Sequence, residues 1–400
     1  MLYRKDPKSG NDVSILGYGA MRLPSKRNKI DYDEAKKQML YCIENGVNYI
    51  DTAWPYHNGE SELFIGKVLA ETGLRNKVKI ADKLPHWVIN NSDDMDTILK
   101  KQLEKLKTDY IDYYLVHALD GNSWDKMKSM QIESFLKKIK DEGLVKNIGF
   151  SFHGPKEDFI RIVDEYNWDF CQIQYNILDQ QNQAGTEGLK YASKNGLGVI
   201  VMEPLRGGNL AKEMPTEAAK LYASALQERT NVEWALRWVW NHPEVICVLS
   251  GMNEMDHIKE NIRIAEEALP NSLTEHELDI IKNVGSSYRK AMKVNCTGCQ
   301  YCMPCPFGVN IPGCFEHYNS YHMFGKKIMT KGFYHVQMAG ITGGDKYLAS
   351  LCTKCGKCVP QCPQKIDIPK EMINVKKSLE GFFINLLMQF VGKMMKKQNK

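Results

Sequence analysis

Several features that would assign this sequence to a class are missing from it. The first fourteen residues, MLYRKDPKSGNDVS, have no apolar core of the kind a secretory leader carries, so the expectation is a cytoplasmic chain. No stretch stays apolar for the ~20 residues that a transmembrane segment requires. The formal net charge is only +5, with basic and acidic residues interspersed. No basic stripe marks nucleic acid as a partner. A Gly-rich phosphate loop behind the first strand is also missing, which counts against a doubly wound dinucleotide fold. Cysteine, by contrast, is plentiful. There are 12, and eight fall in two tight groups after residue 295. Inside a cell, that grouping points to metal rather than disulfides.

Before residue 270, short β-branched or aromatic runs alternate with amphipathic stretches. The strand candidates are LGYGAMRL, NYIDTAW, KVKIADKL, IDYYLVHA, VKNIGFSF, DFCQIQYN, GVIVMEPL and VICVLSGM. Helical candidates such as YDEAKKQMLYCIENG, DDMDTILKKQLEKLKT and MDHIKENIRIAEEAL lie between and after them. Strand-then-helix units of this size predict an α/β fold of the (β/α)8 TIM-barrel type, which takes ~250 residues.

Chemistry in such a barrel sits where strands end at their C-termini. Asp51 ends the second strand and Tyr56 follows it; Lys83 lies near the end of the third strand and His117 near the end of the fourth. Taken singly, each reads as a cap, a turn residue or packing. Together they suit carbonyl reduction, because hydride arriving at a carbonyl carbon leaves an alkoxide that needs a proton. Tyr56 is the candidate donor. Drawing a phenol with a pKa near 10 towards neutrality takes about 3–4 kcal/mol. An ammonium at ~4 Å contributes about 4 kcal/mol at an effective dielectric of 20. Lys83 is therefore expected to acidify Tyr56, with Asp51 keeping Lys83 charged and His117 polarising the carbonyl oxygen.

At these residues the chain resembles the aldo-keto reductase family. DTAWPYHNGESELFIGKVL, IADKLP and DYYLVHAL are similar to that family's Asp–Tyr, Lys and His segments, and the likeness runs from about residue 15 to 265. It implies hydride transfer from NADP or NAD to a small-molecule carbonyl substrate without a Rossmann domain. It further implies that Ser151 and Gln172 hydrogen-bond the nicotinamide carboxamide, with Phe152 where the family usually has Asn. Met202, Leu205 and Gly207 fall in the loop that covers the pyrophosphate, Met202 standing where a tyrosine often stacks. Ser250 and Gly251 open SGMNEMDHIKEN, which resembles the adenosine-phosphate clamp, and Glu260 and Asn261 match positions that hold adenine. His257 stands where many NADP-preferring members carry Arg, so the choice between NADP and NAD stays open.

The second cysteine run, CTKCGKCVPQCP, fits the C-x2-C-x2-C-x3-C-P spacing of bacterial ferredoxins, and the first, CTGCQYCMPCP, is one residue shorter. Zinc, which normally uses two well-separated C-x2-C pairs, is the alternative. An internal repeat, CPFGVNIP and CPQKIDIP, predicts a helix starting at each Ile-Pro step. The region resembles a two-cluster ferredoxin-like module of a mainly helical kind, implying two [4Fe-4S] clusters. By that family's rule the fourth cysteine of each run ligates the other cluster. Cys296, Cys299, Cys302 and Cys362 would hold one, and Cys352, Cys355, Cys358 and Cys305 the other. Cys314 is a spare or an alternative ligand; Cys42, Cys171 and Cys247 read as core thiols.

Three segments are thus expected: a barrel over 1–284, a cluster domain over 285–375, and a basic amphipathic tail over 376–400 that packs as a helix or touches a membrane or partner. Thr274 and Glu277 form a capping-box pattern for a joining helix. The function expected is an NAD(P)-dependent reductase with an electron-carrier protein as a further partner. The alternative is a nucleotide-binding redox sensor or interaction protein without carbonyl reductase turnover.

Overall fold

In the computed structural model, residues 1–26, 29–212, 214–323, 327–339 and 346–381 are described. They form two compact units: Met1–Pro204 with Arg229–Thr274, and Leu205–Glu228 with the described residues from Glu275 onward.

The first unit is a closed barrel. Its strands are β1 (Leu16–Gly19), β2 (Tyr49–Asp51), β3 (Lys79–Leu84), β4 (Ile111–Leu119), β5 (Val145–Phe152), β6 (Phe170–Gln174), β7 (Gly198–Met202) and β8 (Val245–Ser250). They run in sequence order around the ring, all parallel, with β8 pairing β1. All eight expected strands are present, most of them cut short at their C-terminal ends. In β1, for instance, the last residues of LGYGAMRL turn into a 3-10 segment, Ala20–Arg22. The trimmed residues belong to the loops that build the mouth of the barrel.

Inward side chains of alternating strand positions fill the barrel. Tyr49, Ala81, Tyr113, Leu115, Phe170, Ile200, Cys247 and Leu249 belong to one buried cluster. Tyr49 and Phe170 each meet Tyr113 edge-on, with centroids 5.1 and 5.0 Å away. Gly149 makes room for this packing: a Cβ there would lie 2.6 Å from both the Phe170 ring and its carbonyl oxygen. An antiparallel hairpin, Tyr3–Lys5 with Asp12–Ser14, adds Val13 to the same cluster. The Tyr113 hydroxyl donates to Asp6 within this hairpin segment at 2.8 Å. Tyr49 and Phe170 begin their strands, so the hairpin covers the N-terminal end and leaves the opposite mouth to the site.

The second unit is mainly helical. The helix Glu275–Ala291, which starts just after Thr274, packs against Thr216–Ala223. Two helices begin at the Ile-Pro steps, Ile311–Met323 and Ile368–Leu379, as the repeat anticipates. Asp367 caps the latter by accepting from the Lys370 N–H. Val309, Ile311, Phe315, Tyr334, Met372 and Val375 form its core. Cys314 is a buried part of that core, with its sulfur 3.7 Å from the Tyr334 hydroxyl. Residues 382–400, which make up most of the expected tail, lie outside the described residues. Among the described residues no helix is long and apolar enough to cross a membrane.

Candidate active site and cluster cradle

Three strand ends bring Asp51, Lys83 and His117 to the barrel mouth, and the loop after β2 adds Tyr56. Asp51 and Ala81 are register partners across β2 and β3, and Lys83 and Leu115 across β3 and β4. Lys83 is fully buried. Its Nζ lies 2.7 Å from Asp51 Oδ1, 2.7 Å from the Thr52 carbonyl and 3.5 Å from the Tyr56 hydroxyl. The His117 ring faces Tyr56 edge-on at 6.2 Å between centroids.

An unusual loop presents the phenol. His57, Asn58 and Gly59 all adopt positive φ, at 50°, 56° and 86°. The first two are non-glycine residues, for which such a backbone costs on the order of 1–3 kcal/mol each. His57 offsets part of this by accepting from the Leu23 N–H at 3.0 Å. Ala118, directly after His117, is also left-handed, and its N–H donates to Ser151 Oγ at 2.7 Å.

Electrostatics correct one expectation. Tyr56 is not drawn towards neutrality: burial first, then Asp51, Asp82 and Glu203, push its pKa well above the usual phenol range, against a lowering from Arg22. The main physical reason is burial, which disfavours the phenolate, and the three carboxylates Asp51, Asp82 and Glu203 add to it. Burial also raises Asp51 itself, with Lys83 opposing. His117 is held neutral by burial and then by Lys83, His153 and His86. The resting site therefore keeps Tyr56 protonated and His117 uncharged.

The residues expected at the nucleotide are distributed as follows. Ser151 and Gln172 are register partners on β5 and β6, both buried. Gln172 Nε2 donates to Met202 Sδ at 3.5 Å, while its Oε1 is buried with no hydrogen-bond partner among the described residues. An orphaned carbonyl oxygen of this kind suits a carboxamide N–H, so the strand-end residues fit a nicotinamide. Leu205 and Gly207 belong to the second unit. Ser250 accepts from Asn261 Nδ2 at 3.0 Å, which ties the helix Met255–Ala265 to β8. Glu260 accepts the Thr230 hydroxyl at 2.6 Å, and His257 sits exposed beside Glu254 at 3.9 Å.

Sequence reasoning missed several neighbours. Trp87 lies against His117, with centroids 5.0 Å apart, and meets His86 edge-on at 5.2 Å. Both come from HW just beyond β3, and the strand-end rule applied one loop further would have found them. Arg22 lies against Gly251, where a Cβ would be 3.5 Å from its side chain. Asp82 is fully buried and accepts the Lys83 N–H at 2.8 Å. Its position between Ala81 and Lys83 on a strand gave no such signal.

None of the eight clustered cysteines in the second unit is joined in a disulfide among the described residues, and Cys355 is exposed. The Cys302 thiol is pushed up by burial and then by Cys299, Cys296 and Cys362. Cys358 is raised by burial, against a backbone hydrogen bond, and then by Cys352, Cys305 and Cys355. The neighbours of Cys302 and of Cys358 divide in the same way as the two crossed sets that the resemblance implies. A cavity of about 260 Å³ is lined by Cys302, Cys305, Cys352, Cys355 and Cys358. Left-handed residues curl each loop: Gly298 and Gln300 in the first, Lys354 and Gly356 in the second. The Gly298 N–H donates to Cys296 Sγ at 3.4 Å, a contact that stabilises a thiolate. Soft thiolates gathered in this way fit iron–sulfur clusters.

Residues 15–283 match the family model described as "Aldo/keto reductase family". The chain belongs to that family. Residues 295–366 of this aldo/keto reductase match a second model, "4Fe-4S dicluster domain". Curated relatives include the uncharacterized oxidoreductase YqkF of Bacillus subtilis, 26% identical over 316 residues, covering 71% of this chain and 96% of that one. A probable voltage-gated potassium channel subunit beta of Arabidopsis thaliana is 25% identical over 338 residues, covering 72% and 98%. Among solved structures, the holo form of aldo-keto reductase AKR11C1 from Bacillus halodurans is 28% identical. It superposes with a TM-score of 0.60 over 71% of this chain and 96% of its own. The reductase is an oxidoreductase barrel joined to an iron–sulfur domain.

Proposed function

We propose that this cytoplasmic protein reduces a small carbonyl compound, an aldehyde, ketone or quinone, with NAD(P)H, and that two [4Fe-4S] clusters exchange electrons with a partner protein. The observation that carries the first part is the contact of the Tyr56 hydroxyl with a buried Lys83–Asp51 pair. A bound reduced nicotinamide supplies hydride. Tyr56 then gives its O–H proton to the developing alkoxide oxygen, a base far stronger than phenolate, so a phenol held above its ordinary pKa still donates downhill. Lys83 meets the phenolate charge as it forms, Asp51 keeps the ammonium in place, and neutral His117 can donate to the carbonyl oxygen. Ser151 and Gln172 orient the nicotinamide edge.

The test is Tyr56→Phe assayed on a broad aldehyde and quinone panel. The expected result is a loss of ~10²-fold or more in kcat with nucleotide affinity unchanged. Carbonyl reduction that survives the change would overturn the reading. A second reading is a nucleotide-binding redox sensor or interaction protein without turnover, and the similarity to a protein named as a channel subunit favours its interaction side. Tight nucleotide binding with no turnover of any panel compound by the native protein would select it.

A further inference from the structure

The second unit carries an asymmetry of charge that ligand chemistry does not explain. From Cys352 to Ile366 the chain has three lysines, Lys354, Lys357 and Lys365, and no acidic residue, and a fourth, Lys346, precedes the run. All four are exposed. Some positive charge is expected beside clusters held by thiolates, because each such cluster is anionic. The first run supplies the same number of thiolates, yet Cys296 to Val309 contains no charged side chain at all. Neutralising the clusters would call for lysines on both runs. The excess on one run calls for a different explanation.

The charged run is also the one that reaches solvent. Cys355 is the exposed member of the eight. Lys354 and Lys357 flank it, and Lys354 is left-handed, at φ 60°. Phe307 and Lys357 line the same cavity as Cys355. The Asn310 N–H donates to the Tyr347 carbonyl at 3.1 Å, which brings the Lys346–Tyr347 corner beside the first run. Phe307, Tyr347 and Val359 are 44%, 40% and 37% exposed. The pattern is an apolar patch at the exposed edge of a cluster cradle with cations around it.

We infer that this rim is the docking surface for an acidic one-electron carrier protein, which reaches the cluster through the Cys355 edge. The inference rests on the proposed electron exchange, not on carbonyl reduction. One electron moves per encounter: the carrier's reduced centre loses it, the cluster gains it, and no atom is transferred. The lysines steer the encounter and set its orientation, while Phe307, Tyr347 and Val359 supply the dry contact once the partners meet.

The test uses the cluster-loaded full chain and a reduced acidic [2Fe-2S] ferredoxin as probe, following cluster absorbance near 400 nm in stopped flow and association by biosensor. The rate and the affinity should each fall ~10-fold or more between about 20 mM and about 500 mM salt. Lys354→Gln, Lys357→Gln and Lys365→Gln combined should give a similar loss at low salt, while the three Arg replacements keep the native rate. Deazaflavin photoreduction, which needs no docking, and the iron and sulfide counts should be unchanged throughout. If the Gln variant loses iron, the salt series on the native chain and the Arg variant still decide. The inference is overturned if association with the probe is absent or insensitive to salt. It is equally overturned if the Gln variant matches the native chain, or if a basic cytochrome c binds more tightly. Tyr56→Phe should leave every one of these readings at the native value, which separates this inference from the carbonyl reading.

Discussion

At the scale of the residue, the buried Lys83–Asp51 pair is the feature with the largest predicted consequence. Asp51→Asn strands an ammonium in a buried site, and breaking such a pair costs about 3–5 kcal/mol. The expected outcome is a lowered thermal midpoint together with slow carbonyl reduction, read by calorimetry and by single-turnover kinetics. The histidines around the mouth give a pH prediction. Burial holds His86 and His153 at about 4 against an ordinary 6.5. Between those values the unfolded chain binds protons that the folded chain refuses. Stability is therefore complete above pH 6.5 and falls as pH drops towards 4, by up to about 1.4 kcal/mol per pH unit for each histidine. His153→Gln should flatten that slope in denaturation series at pH 7 and pH 5. Asp51, Tyr56, Lys83 and His117 were legible because strand ends are a rule of position. The state of Tyr56 was not, because it depends on four charges and a burial that no spacing encodes. Arg22 escaped notice because its neighbour Gly251 lies more than two hundred residues away in the chain.

At the scale of the element, the barrel follows from alternation and the details of its packing do not. Strand β5 was read to the residue, Val145–Phe152. The need for Gly149 in the middle of it is a long-range fact, set by Phe170 on β6. Gly149→Ala should lower the thermal midpoint by an amount corresponding to about 1–3 kcal/mol or more. Adding Phe170→Leu should recover only part of this, since the Phe170 carbonyl oxygen is as close as the ring. The two Ile-Pro helices were equally legible, because proline sets their start and the repeat appears twice. The pairing of Leu205–Glu228 with the helix Glu275–Ala291 was not, because both stretches are amphipathic and nothing local says which faces meet.

At the scale of the whole molecule, the ligand sets make a prediction about metal. The second unit has a modest core, and six of the cluster cysteines pack against its edge. Removing iron leaves these thiols crowded together with no ion between them. Oxidative extraction should therefore cost the second unit its helical signal while the barrel keeps its own, as followed by circular dichroism and limited proteolysis. If the sets are crossed, Cys362→Ser should disturb the cluster of the first run and Cys305→Ser that of the second. Spectroscopy of each variant reads which of the two is altered. The barrel's chain leaves for the second unit after Pro204, returns at Arg229, and leaves again after Thr274. On the ribosome, the excursion after β7 emerges well before the helix it packs against, so it must wait, half assembled, until some fifty further residues have followed. Neither half of this protein can be made by a single cut: a chain stopped at Thr274 would carry a docking stub with nothing to grip.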